Sequence, residues 1–160
     1  MKTNTIFSRP LFLFLSVILC ANLLYAQDKK AGIKNAVETR QFIFKAETAL
    51  PLSGGARQLT ADYELKISRT SVTSYLPYFG RAYSADYNST QGGINFTSTK
   101  FNYSTNPGKK GGWDIDIKPK DVNDTRELSL SISENGYATL QVTSTNRQAI
   151  SFTGYITALQ

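Results

Sequence analysis

The chain has 160 residues, 18 basic and 12 acidic side chains, a net charge of +6 and no histidine. Its one cysteine, Cys20, lies near the amino end, so the rest lacks the two side chains most used for metal ligation, nucleophilic attack and proton shuttling near neutral pH. The reading is of a protein with no catalytic residue, no metal and no cofactor, held together by a core because no disulfide is available to brace it.

Lys2 and Arg9 make the amino end positive, Leu11 to Leu19 is apolar apart from Ser16, and Leu24-Tyr25-Ala26 ends on a small residue before Gln27. That order is the layout of a secretory signal peptide, expected to span residues 1–26. A spanning helix needs roughly 20 largely apolar residues, and Cys20, Ala21 and Asn22 interrupt the run, so no transmembrane segment is expected in the mature chain. Leu19-Cys20 also resembles the site where bacterial lipoproteins are cut and acylated, but a bulky leucine stands where a small residue is normal. A lipid anchor at Cys20 is therefore the minor alternative. The expected destination is the periplasm or the outer-membrane surface.

Without the leader about 134 residues remain, enough for one domain. Losing Lys2 and Arg9 with it lowers the net charge to about +4. Lys29-Lys30, Lys109-Lys110, Lys118 and Lys120 are scattered and form no basic stripe, which speaks against a nucleic-acid partner.

Residues 27–40 form the amino-terminal lead-in. Ile33, Ala36, Val37 and Arg40 fall at helical spacing, with Asp28 placed to face the first turn, and predict a short helix with a thin apolar face. From Gln41 the period changes to 2, and residues 41–160 read as a single β domain. Phe42 and Phe44 alternate with Ile43 and Lys45 before the loop Pro51 to Gly55. Tyr63, Leu65 and Ile67 share a face opposite Asp62, Glu64 and Lys66, as in a strand with one buried side. Ile94 and Phe96 begin a strand that Phe101 and Tyr103 continue after a phase change, read as a bulge. Asn106-Pro107-Gly108 and Gly111-Gly112 bracket a turn. Trp113, Ile115 and Ile117 point one way, and Leu128, Leu130 and Ile132 alternate with three serines. Asn135-Gly136 then supplies a two-residue hairpin turn that needs positive φ at both central positions. Leu140 and Val142, then Ile150, Phe152 and Ile156, complete the inward faces. About eight or nine strands joined by short loops predict an antiparallel sheet that curls up or closes.

The segment Tyr75 to Tyr87, YLPYFGRAYSADY, holds five aromatic rings among 13 residues. Core and loop packing, with Pro77 and Gly80 turning a corner, is the first reading. The second is a binding platform: Tyr75, Tyr78, Phe79, Tyr83 and Tyr87 stack on a sugar ring or line an apolar mouth, with Arg81 pairing an anion. Trp113, the single tryptophan, sits at a strand start and reads as a plug at the barrel's end, with ligand stacking as the alternative. Asp121, Asn123, Thr125 and Glu127 alternate as calcium ligands do in the first half of a loop. Arg126 stands where the turn glycine is needed, so a solvated turn is the reading. Asp114 and Asp116 share a strand face and mark its wet side.

The strings YLPYFGRAYSADY, GGINFTSTKF, KKGGWDIDIKPKD and ENGYATLQVTSTNRQAISFTGYI, with the preceding FIFKAETALP, resemble the domain of unknown function 4251 family, exported proteins of Bacteroidetes bacteria. The resemblance runs from Gln41 to Ile156. It implies a lipocalin-like, calycin-type β-barrel and no particular activity. It also implies lipid attachment in many members, from which Leu19 before Cys20 departs. The expected function is a non-catalytic binding module for a small apolar or glycan-like ligand in the cell envelope. Docking on another envelope protein is the alternative use of the same aromatic patch.

Overall fold

The computed structural model describes residues 30–81 and 92–159. Residues 30–39 form the helix α1, which buries Ile33, Ala36 and Val37, the thin stripe its spacing predicts. Arg40 ends it in the left-handed region at φ 56°. Arg40 N donates to Val37 O at 3.1 Å and Gln41 N to Ala36 O at 3.0 Å, the paired bonds of a Schellman motif.

Nine strands follow among the described residues: β1 (Phe42–Pro51), β2 (Arg57–Ile67), β3 (Val72–Pro77), β4 (Gly93–Ser98), β5 (Phe101–Pro107), β6 (Trp113–Pro119), β7 (Thr125–Ile132), β8 (Tyr137–Ser144) and β9 (Ile150–Ala158). They form one sheet in the order β4-β3-β2-β1-β9-β8-β7-β6-β5, with antiparallel neighbours throughout. An odd number of alternating strands makes the two ends, β4 and β5, run the same way. Only Thr99 and Lys100 separate them, so they are successive halves of one bent strand. The first half pairs with β3 and the second with β6. The sheet thus curls into a nearly closed, lipocalin-like antiparallel barrel whose first and last strands are one stretch of chain. This corrects the bulge expected between Phe96 and Phe101: the phase change marks a transfer between sheet edges.

Asp121 pins this bend. Its carboxylate accepts from Ser98 Oγ, from Thr99 N at 2.9 Å and from Lys100 N at 3.1 Å, while Lys120 N donates to Lys100 O at 2.7 Å. These donors hold the Asp121 carboxyl down at about 2, the Ser98 hydroxyl contributing most. Its neighbours in the alternating run go elsewhere: Thr125 is buried and Glu127 pairs with Lys118 at 3.1 Å.

The period-2 faces converge on one interior, where Phe42, Phe44, Leu65, Ile67, Ile117, Leu128, Leu140, Val142 and Phe152 are fully buried. On β1 the register slips between Ala46 and Thr48 against both neighbours, a β-bulge. Gly154 stands opposite Ala46, where a Cβ would run into the Lys45 carbonyl.

One turn differs from expectation, and another falls where its bracketing glycines predict it. At Asn135-Gly136 only Gly136 has positive φ, 88°. Gly136 N donates to Ser133 O at 2.9 Å and Ser133 N to Tyr137 O at 2.8 Å, so the loop is a three-residue connection with its glycine in the left-handed position. Positive φ at both central positions occurs instead at Lys110 (53°) and Gly111 (78°), closed by Gly112 N to Lys109 O at 3.1 Å. A side chain at Gly136 would also meet Ile33 of α1.

Candidate functional site

Strand directions give the barrel a helix end and a loop end. The helix end carries α1 and the β2–β3, β5–β6 and β7–β8 turns. The loop end carries the β1–β2, β3–β4, β6–β7 and β8–β9 connections.

At the helix end, α1 plugs the barrel incompletely. A cleft of about 650 Å³ remains between it and the β5–β6 hairpin, lined by Lys30 and Lys34 of α1, Thr105, Asn106 and Pro107 of β5, Gly108, Gly111 and Gly112 of the turn, Trp113 of β6 and Glu134. Trp113 is half-buried and packs against the core. Glycine lets the turn pack closely against its neighbours: a Cβ at Gly111 would strike the Glu134 carboxylate, and one at Gly112 the Ile132 carbonyl. Lys30 Nζ and Glu134 Oε2, 2.7 Å apart, tie the helix to the β7–β8 turn across the rim. Deeper along β5, the Arg40 guanidinium lies 4.5 Å from the centre of the Tyr103 ring. Burial raises the Tyr103 hydroxyl above its ordinary value, against the opposing pull of Thr105 and the Arg40 cation. A flat aromatic surface, exposed backbone, one amide and two ammonium groups suit the holding of a small molecule with an apolar face and a polar rim.

The aromatic segment singled out from sequence lies at the loop end. Tyr75 points outward from β3, is 54% exposed, and stacks on Tyr63 at 5.5 Å. The Tyr78 hydroxyl sits 2.9 Å from Arg81 O and 3.0 Å from Gln148 O. Gly80 allows this, because a Cβ there would collide with that phenol. Arg147 lies over the Tyr78 ring at 5.1 Å, and Arg57 over Phe79 at 4.8 Å. Gln148 N donates to Arg81 O at 3.0 Å. Tyr78 and Arg81 thus fasten the chain after β3 onto the loop before β9, while Phe79 packs under Arg57 of β2. Tyr83 and Tyr87 lie outside the described residues. Trp113 starts β6 at the helix end, so the structure does not bring it to the others.

A family model described as "Domain of unknown function (DUF4251)" matches residues 25–156. The chain belongs to the DUF4251 family. A crystal structure of a DUF4251 family protein from Bacteroides eggerthii DSM 20697 is similar with a TM-score of 0.60 at 14% identity, covering 81% of this chain and 87% of that one. At that identity the likeness is one of fold. No curated protein matches the chain. Among the described residues of this DUF4251 barrel, no helix is long and apolar enough to cross a membrane, and no group of three or more acidic, His or Cys side chains is arranged to hold a metal ion.

Sequence reasoning missed Lys30, Lys34, Asn106 and Glu134 as neighbours of Trp113. The available signal was the glycine pair directly before the only tryptophan. Glycines beside a large ring leave the ring's flank uncovered, but what faces that flank depends on where α1 docks.

Proposed function

We propose that this DUF4251 barrel is a non-catalytic binding module of the cell envelope, holding a small ligand with a flat apolar face, such as a glycan ring, in the cleft at the helix end. The placement of Trp113 beside Gly108, Gly111 and Gly112, in a cleft of about 650 Å³, carries the reading. Ligand sites in proteins commonly run to about 300–1,000 Å³. The filled interior supports the mouth over the barrel's centre as the place for a ligand. The leader-like residues 1–26 support export to the periplasm or outer surface, with acylation at Cys20 the minor route to retention there.

Trp113 is the only tryptophan, so emission excited selectively from tryptophan rather than from the nine tyrosines reports on this cleft. Lipid and glycan extracts are passed over the purified protein, and retained species are identified by mass spectrometry and titrated. Expected are a retained small molecule, a shift in emission on rebinding, and loss of retention in Trp113→Ala. A protein that retains nothing and whose melting temperature no extract moves would sink the proposal.

A second reading, docking on an envelope protein, draws on the exposed Tyr75 stacked on Tyr63 at the outer wall. Cross-linking in cells separates the two. A single dominant protein partner, lost in Tyr75→Ala and kept in Trp113→Ala, favours docking.

A further inference from the structure

The outer wall over β6 to β9 carries short polar side chains that neither the mouth cleft nor the loop-end clamp uses. Register sets Asp114, Ser131, Thr139 and Thr153 directly opposite one another on four successive strands. Asp116, Ser129, Gln141 and Ser151 form the adjoining row in the same way. Neighbouring strands lie about 4.8 Å apart, so hydroxyl, amide and carboxylate groups recur at that step across the wall.

A barrel's outside is ordinarily convex, yet this part is hollowed. Ser131 and Thr139 in the middle of the first row are short, whereas longer side chains stand beside them: Gln141 in the second row, Tyr137, 64% exposed, and Glu47, the residue extruded by the β1 bulge. Gly154 lines the surface between them. The result is a groove of about 510 Å³ against Tyr137 and Glu47, and a second of about 270 Å³ against Asp114 and Asp116. Both are lined by Ser131 and Thr139, so they form one trough running across the strands.

The lining's chemistry selects its occupant. The chain is net positive, but three carboxylates line the trough against the single cation Lys109, and an anionic polymer is therefore disfavoured. Asp116 Oδ1 already accepts from Ser129 Oγ at 2.9 Å, showing how these groups take a hydroxyl donor. A protein partner would call for a cluster of buried anchors, whereas the lining offers the exposed ring of Tyr137, with Tyr155 opposite it on β9. Regularly spaced acceptors and donors beside the exposed phenol of Tyr137 suit a polyhydroxylated chain, whose C–H faces stack on the ring while its hydroxyls pair with the rows. We infer that this trough binds an extended neutral polysaccharide lying across β6 to β9, at a site separate from the mouth.

Isothermal titration of the purified protein with four neutral hexasaccharides, the β-1,4-glucan, β-1,3-glucan, β-1,4-mannan and β-1,4-xylan oligomers, tests this. At least one is expected to bind with no change in Trp113 emission. Tyr137→Ala should weaken it by about tenfold, the loss of roughly one stacking contact. Thr139→Arg, which fills the trough from an exposed position, should abolish binding at an unchanged melting temperature. Failure of all four oligomers to bind overturns the inference. So does binding that survives Thr139→Arg and disappears in Trp113→Ala, an outcome that supports the mouth reading instead.

Discussion

Arg147 grips Asp124 through two nitrogens, Nη2 at 2.5 Å and Nε at 2.6 Å, while its Nη1 donates to the Gly93 carbonyl at 2.9 Å. One guanidinium thereby joins the β6–β7 loop, the β8–β9 loop and the start of β4, and it also covers the Tyr78 ring. The loop end is closed by this fork of donors, which an ammonium group cannot reproduce.

Arg147→Lys is accordingly expected to destabilise the barrel by about 1–2 kcal/mol, and Arg147→Ala by about 2–3 kcal/mol, values between those of exposed and buried pairs. Chemical denaturation of both, with Asp124→Asn completing a double-mutant cycle, measures the coupling. Strict additivity would mean that Arg147 acts through Gly93 and Tyr78 alone.

Asp121 makes stability depend on acid. Its carboxyl titrates at about 2 in the folded chain against an ordinary 3.8, so its contribution is fully present above pH 3.8 and is lost as pH falls towards 2. The urea midpoint of the parent should drop through that window. Asp121→Asn should start lower at neutral pH and show a shallower decline. Equal slopes for the two proteins would show that the bend does not depend on the charge.

Gly154→Ala places a methyl against the Lys45 carbonyl at the β1 bulge, inside the sheet where neither strand is free to move. The expected cost is about 2 kcal/mol or more, read as a lowered denaturation midpoint. Gly32→Ala, where a Cβ meets nothing within 4 Å on α1, should be neutral or stabilising by a few tenths of a kcal/mol and serves as the control.

Phe152 is fully buried in the wall between Ala49 and Leu140, its partners on β1 and β8. Phe152→Ala should cost about 3–5 kcal/mol, whereas Tyr155→Ala, three residues on and facing outward, should change stability by about 0.5 kcal/mol or less. Thermal melts of the pair check the inside–outside alternation directly.

Local features were legible because local forces produce them. Phe42 and Phe44, Leu128, Leu130 and Ile132, and Leu140 with Val142 lie inward as a period of 2 requires. Ile33, Ala36 and Val37 face the core as a period near 3.6 requires. The closed antiparallel barrel followed from the strand count and the lack of any other way to hide the edges. Turn types were less legible: Asn135-Gly136 is the usual pair for positive φ at both central positions, yet α1 above it and the extra residue Glu134 impose a different loop. The aromatic segment was visible as a composition, but its partners Arg147 and Gln148 lie far along the chain and have no local signature.

Alternation and turn chemistry, acting between near neighbours in the chain, were enough to specify sheet, helix and the inward side of each strand. Which strand lies beside which, the bend at Thr99-Lys100 that gives one strand to both edges, and the separation of Trp113 from Tyr78 come from closing the sheet. Closure is a property of all the registers taken together, and each register is set by side chains meeting across distances that no stretch of sequence contains.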